Sequence, residues 1–206
     1  MKTLTRFLIL TVCWSIIATA QLTSYKRAFL AVGPAFPAAP DQFFDYWKMG
    51  IGGDVGLEYG LKEQLNLDVV ASYHRFAFDE ARFFSRLKLN GPGYSVSGGT
   101  GTILSLVGQV HYQVPGYEWI RPSFFGGLGF LVSARSAATV DYSGLKESMS
   151  SHSSLVPCFP FGMRLAKAWT EKIDVLLDFQ YFIGLSKAQD VNSNFTAIRV
   201  GVAIAP

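Results

Sequence analysis

Apolar side chains alternate with small or polar ones along most of this 206-residue chain. From Leu65 to Tyr73 the odd positions are all apolar, whereas the even positions from Asn66 to His74 are mostly polar. The stretch KIDVLLDFQYFIGL, residues 172–185, repeats the pattern with Asp174 and Asp178 on its second face. Strict alternation over ten or more residues is typical of a β-strand whose two faces meet different surroundings. The pattern predicts eight strands, at about 25–36, 47–60, 64–78, 101–114, 119–134, 154–168, 172–185 and 194–205.

The connections between these strands alternate between short and long. Short turns are predicted at Gly60–Glu63, Pro115–Glu118 and Ala168–Glu171, and four longer connections are rich in Gly, Ser, Pro, Asp or Asn. Every long connection follows an odd-numbered strand, and the number of strands is even. This order predicts an up-and-down antiparallel barrel in one domain, with both chain ends on the side of the short turns.

Three features indicate that the apolar face of the barrel points outward. The second face carries many Gly and Ser residues, which suit a crowded interior better than a surface exposed to water. The strands are 12–16 residues long, enough for a tilted membrane crossing of about 9–11 residues. Aromatic side chains collect near the strand ends, as in the interfacial girdles of membrane barrels. The predicted girdle residues are Trp47, Tyr59, Tyr112, Trp119 and Trp169.

The N-terminus has the three parts of a secretory signal peptide. A basic start is followed by the apolar run Phe7–Ile17 and by Ala18-Thr19-Ala20, so residues 1–20 are predicted to be removed and 21–206 to form the barrel domain. Cleavage would remove two of the 18 Lys and Arg residues and none of the 15 acids, which leaves a formal charge of +1. Such a charge argues against a nucleic-acid partner. Cys158 would be the only cysteine left, so no intramolecular disulfide is expected.

Three stretches resemble the eight-stranded outer-membrane β-barrel family of the OmpA and OmpX kind. They are WKMGIGGDVGLEYGL, the hairpin GLEYGLKEQLNLDVVASYHRF, and NFTAIRVGVAIAP. The resemblance implies an all-β, eight-stranded antiparallel up-and-down transmembrane β-barrel in the bacterial outer membrane. It implies a monomer without a cofactor, whose partners are outer-membrane lipids, lipopolysaccharide and the outer-membrane assembly machinery. Family members commonly end in an aromatic residue, whereas this chain ends in Ala205-Pro206.

The polar face carries a set of acids and bases that would project into the barrel. An eight-stranded barrel is just wide enough for side chains to fill, and unpaired buried charges are costly. We therefore interpret the set as a network that plugs the lumen, while a narrow conducting path remains the alternative. Its members are Asp54, Glu58, Asp68, Arg121, Arg164, Asp174, Asp178 and Arg199, with His74, Gln109, His111 and Gln180 beside them.

Other functions have weaker support in the sequence. His152 and Ser154 could belong to a lipid-modifying site, but no acid follows within the next dozen residues to orient the histidine. No metal-ligand cluster, phosphate loop or nucleophile elbow is present, so we expect no enzyme activity. In the long second connection Arg82, Arg86 and Lys88 lie among aromatic residues and could contact lipopolysaccharide phosphates or a surface partner. A soluble ligand-binding barrel is the remaining alternative.

Overall fold

The computed structural model describes residues 25–38, 46–86, 88, 94–117, 119–142, 144–185 and 193–206. The predicted signal peptide lies outside these residues. The described part of the chain contains eleven strands and one seven-residue helix. The strands are β1 Tyr25–Pro37, β2 Trp47–Lys62, β3 Leu65–Phe78, β4 Tyr94–Gly98, β5 Gly101–Gln113, β6 Arg121–Arg135, β7 Ala138–Tyr142, β8 Leu145–Met149, β9 His152–Ala168, β10 Ile173–Gly184 and β11 Phe195–Ile204; the helix is α1 Glu80–Arg86.

Eight of these strands close into an antiparallel barrel, in the order β1-β11-β10-β9-β6-β5-β3-β2. The first and last strands pair with each other from Ala28–Ile204 to Pro37–Phe195, so the sheet has no open edge. The eight predicted strands and the up-and-down order are confirmed. The start of β1 and the finish of β11 lie at the same end of the barrel as the short turns. We call this end the short-turn rim and the opposite end the long-loop rim.

The alternation in the sequence becomes the inside and outside of the barrel. Along β3 the even positions from Asn66 to Phe76 are buried, while the odd positions are half-buried or exposed. On the outer surface, large apolar side chains such as Ile51 and Leu128 are 68% and 69% exposed. The apolar face therefore points outward and the polar face inward, which is the reverse of a water-soluble barrel.

Glycine is required on the inner face because neighbouring strands come close there. A Cβ atom added to Gly162 would lie 2.0 Å from the carbonyl oxygen of Phe179 and 2.8 Å from the ring of Phe125. Gly126 points outward, and the same atom there would meet only one ring carbon of Phe159, at 3.9 Å. The glycine-rich polar face thus reflects a narrow, filled interior.

The long connections contain structure that the alternation did not predict. Strands β4, β7 and β8 form a separate three-stranded antiparallel sheet beyond the long-loop rim, in the order β4-β7-β8. Each has only five residues and lies in a connection whose Gly and Ser residues predicted a loop. The helix α1 precedes β4 and has seven residues. No helix in the described ranges is long and apolar enough to cross a bilayer.

Candidate functional site

Arg164 joins opposite walls of the barrel interior. From β9, its Nε and Nη2 donate to the two carboxylate oxygens of Asp178 at 2.8 and 2.9 Å. Its Nη1 donates to Oδ2 of Asp68 on β3 at 2.9 Å, and β3 stands three strands away around the ring of eight. All three side chains are buried. This bidentate, charge-assisted geometry fixes the guanidinium across the lumen.

Arg199 forms a second crossing, nearer to the long-loop rim. From β11 it is ion-paired with Asp54 on β2 and donates to Oε1 of Gln180 at 2.5 Å. Its Nη2 also lies 3.0 Å from Nε2 of His74 on β3. A guanidinium has no acceptor, so Nε2 of His74 must accept this bond. Arg199 is 1% exposed, and it reaches three other strands without contact with solvent.

An apolar layer covers the Arg199 crossing on the side of the long-loop rim. The rings of Phe182 and Phe195 are stacked with centroids 4.5 Å apart, and Phe76 meets Phe195 edge-on at 5.7 Å. His74 packs against Phe195 at 4.9 Å, so it belongs to this layer and to the polar layer below. The three phenylalanines are fully buried. The described interior is therefore filled by aromatic packing above and by ion pairs below.

At the short-turn rim the interior is more open. Asp174 makes ion pairs with Arg27 at 2.6 Å and with Arg121 at 2.5 Å, and both arginines are about a quarter exposed. His111 lies 3.1 Å from Asp68, a partner of Arg164, and lines the same cavity as Arg27 and Arg121. Arg27 was missed in the sequence because β1 alternates less regularly than its neighbours. Arg27 has an odd residue number, like the buried Phe29, and this shared face of β1 was the signal that could have placed it inside the barrel.

A small polar cavity opens at the short-turn rim and ends at Arg164. Its volume is about 30 Å³, room for one or two water molecules, and Arg27, Glu58, His111 and Arg164 are among its lining residues. Glu58 is buried and makes no hydrogen bond or ion pair with any described residue. The charged groups of this interior thus include five carboxylates and four arginines.

Four of the five predicted girdle aromatics face outward near a rim. Tyr112, Trp119 and Trp169 are exposed and Tyr59 is half-buried, all at the short-turn rim. Trp47 does not face outward, and the prediction for its side chain is wrong. A bulge between Trp47 and Gly50 shifts the register of β2 against β3, so Trp47 turns inward, 8% exposed, and packs edge-on against Phe78.

The predicted loop cations lie on and beside α1. Arg82 makes an ion pair with Asp79 at 3.4 Å, Lys88 is exposed, and Arg86 is the last residue of the helix. The helix packs on β4 through Phe84 and Tyr94, whose ring centroids are 5.6 Å apart. Oε1 of Glu80 accepts a hydrogen bond from the backbone N–H of Val96 at 3.0 Å. The three cations therefore lie in one segment beyond the long-loop rim, and one of them, Arg82, is already paired with Asp79.

The comparisons with known proteins identify the fold. No family model and no curated protein matches the sequence. Among solved structures, Neisserial surface protein A (NspA) matches with a TM-score of 0.50 and 16% identity, over 88% of this chain and 96% of that chain. A major outer membrane protein from Thermus thermophilus matches with a TM-score of 0.50 and 14% identity, over 86% of this chain and 98% of that chain. The chain has the outer-membrane barrel fold. Ail, the attachment invasion locus protein of Yersinia pestis, has a TM-score of 0.47 and 14% identity, over 87% of this chain and 97% of its own.

Within this outer-membrane barrel fold, His152 and Ser154 form no catalytic set with the residues that the structure describes. His152 begins β9 opposite Arg135, and Ser154 lies opposite Ser133. Neither is joined to a carboxylate by a hydrogen bond or ion pair in the part of the chain that the structure describes. The described residues also contain no group of three His, Cys, Asp or Glu side chains that could hold a metal ion.

Proposed function

We propose that this protein is a bacterial outer-membrane barrel with a plugged lumen, whose role is structural or based on surface interactions. The observation that carries this proposal is the pair of arginine crossings. Arg164 and Arg199 each connect strands three places apart on a ring of eight, and the stacked Phe182 and Phe195 lie above them. A pore would need a continuous water path, and these contacts occupy the centre of the barrel.

The outer surface supports the membrane location. Leu104, Leu106, Phe130 and Leu155 are each at least half exposed on the outside of the barrel, an arrangement that would be costly in water. A closed barrel pairs all its strands, as lipid requires of a spanning sheet. Short turns face the periplasm and long connections face outward in barrels of this fold, so α1, β4, β7 and β8 would lie outside the cell.

Recognition is assigned to this external layer. Strand β8 forms one edge of its sheet, and Lys146 and Glu147 on it are exposed. Arg82, Arg86 and Lys88 remain the proposed contacts with lipopolysaccharide phosphates. The assembly machinery remains a proposed partner, and the protein is proposed to act as a monomer without a cofactor or catalytic site.

The decisive test is conductance in planar lipid bilayers. The full chain, folded in detergent and checked by its heat-dependent mobility on gels, should insert without reproducible single-channel steps. An open porin measured in the same bilayers shows that conduction would be detected. Reproducible steps that change when Arg164 or Asp174 is replaced would contradict the plugged lumen and favour a small passive pore.

Two other outcomes would contradict the wider proposal. Recovery of the folded chain in the soluble fraction without detergent would favour a soluble ligand-binding barrel. A change in the mass of lipid A on overexpression, lost on replacing His152, would indicate a lipid-modifying enzyme.

A further inference from the structure

An exposed aromatic patch lies beside Lys167 at the short-turn rim. The turn before β6 presents Tyr117 and Trp119, and the turn after β9 presents Trp169; Trp119 and Trp169 are 81% and 77% exposed. Because β6 and β9 are neighbours in the barrel, the two turns lie side by side. Nζ of Lys167 lies 5.2 Å from the ring centroid of Trp119, within the range of a cation–π contact.

Lys167 stands where the apolar outer surface ends. On the outward face of β9, every side chain from Leu155 to Leu165 is uncharged, and Lys167 is the first charged residue after them. It is exposed, pairs in the sheet with Val175, and makes no ion pair with a described residue. A long cationic side chain at such a boundary places its ammonium at the level of lipid head groups, where Trp is also favoured.

A notch in the outer surface lies nearer the middle of the barrel than this patch, with the exposed Phe124 between them. On β6, Gly126 lies between the exposed Phe124 and Leu128, and on β5 Gly108 points outward beside Leu128 with no heavy atom within 4 Å of its missing Cβ. Six residue steps lead from Ile120 to Gly126. They span about 20 Å along the strand, or about 15 Å of depth at a tilt of about 40°. That depth is half of a hydrocarbon core of about 30 Å.

We infer that this surface binds one anionic phospholipid of the periplasmic leaflet. Its phosphate would lie on Lys167 beside Trp119, and one acyl chain would lie over Gly126. An ammonium that pairs with no carboxylate among the described residues favours a headgroup with net negative charge. The notch extends the contact to a lipid tail, which a soluble anion lacks. The inference rests on the proposed membrane location and adds a lipid class and a site to it.

Native mass spectrometry of the detergent-folded chain tests this inference. Phosphatidylglycerol and phosphatidylcholine with identical acyl chains are added separately, and the lipid retained per barrel is counted. We expect one phosphatidylglycerol retained preferentially, with about fivefold weaker retention in Lys167→Gln, the effect of one cation near an anionic headgroup. Gly126→Leu, which fills the notch, should also weaken retention.

Lys62→Gln is the matched control, because Lys62 is an exposed cation at the same rim without the aromatic patch. It should retain lipid like the unchanged chain. Equal retention of the two lipids, or equal losses in Lys167→Gln and Lys62→Gln, would overturn the inference. Displacement by inorganic phosphate at the same concentration would show a free-anion site and overturn it too. Heat-dependent gel mobility of every variant separates these results from failure of the membrane barrel itself.

Discussion

Arg164 shows how one residue can hold a barrel interior together. Its three hydrogen bonds reach two carboxylates on different strands, and its guanidinium also lies 4.4 Å from the ring centroid of Phe29. Taking these charges out of water is costly. The cluster of Arg164, Asp68 and Asp178 is therefore tolerated in the interior mainly because each charge has a partner. Removing one partner should therefore cost more than removing the whole set.

We predict that Arg164→Met lowers the free energy of unfolding by about 3–5 kcal/mol, because Asp68 and Asp178 then remain buried without their cation. Urea unfolding of the chain in lipid vesicles, followed by Trp fluorescence, measures the change.

The control for this prediction removes the carboxylate charges as well. Arg164→Met combined with Asp68→Asn and Asp178→Asn should recover most of the lost stability. Lys146→Met, at an exposed position on β8, should change it by less than about 0.5 kcal/mol. A triple variant no more stable than Arg164→Met would show that packing, not charge, explains the loss.

At the scale of elements, the helix α1 covers one edge of the three-stranded sheet beyond the long-loop rim. Strand β4 is an edge of that sheet, and the backbone N–H of Val96 on it donates to the side chain of Glu80 at the start of the helix. The ring contact of Phe84 with Tyr94 adds an apolar contact between the same two elements. One edge of the sheet is thus covered by a helix, a common protection of edge strands.

Glu80→Ala should therefore loosen β4. We expect the amide hydrogen of Val96 to exchange about tenfold faster, the effect of losing a charge-assisted hydrogen bond. Hydrogen exchange read by mass spectrometry over residues 94–98 measures this. Glu147→Ala on the other edge strand should leave the exchange of β4 unchanged, and equal effects of both variants would contradict the role of Glu80.

The limits of the sequence prediction are visible in particular elements. Alternation located the eight barrel strands because each strand is long and has an apolar face on one side only. The short strands β4 and β8 were missed because they lie in connections rich in Gly and Ser, a composition that predicts loops. The bulge beside Trp47 turned the side chain of this residue from the outer to the inner face, and residue types alone do not reveal a bulge. The partners of Arg164 could not be read either, because contacts across the lumen depend on register and strand stagger.

At the scale of the whole molecule, the apolar belt on the outer surface sets the proposed depth of the barrel in the membrane. On β11, Ile204 lies at the short-turn rim and Val200 is four residues further in, and both are exposed. In lipid, the cost of a charge depends on its depth, whereas in water two exposed positions would tolerate a charge equally.

Val200→Arg should therefore cost about 2–4 kcal/mol of unfolding free energy in lipid vesicles, and Ile204→Arg about 0–1 kcal/mol. The same urea titration compares the two variants with the unchanged chain. Equal and small effects at both positions would argue against a membrane-embedded belt.

The pairing of β1 with β11 has a consequence for the order of assembly. Because Ala28 meets Ile204, the first strand cannot be paired on both sides until the last strand arrives, so ring closure carries the largest loop entropy in the fold. Until then β1 and β11 both present free backbone N–H and C=O groups beside an apolar surface, which is an aggregation hazard. A chain cut before Phe195 would keep that hazard permanently, so proteolytic loss of the final strand should be far more damaging than a break in any external connection.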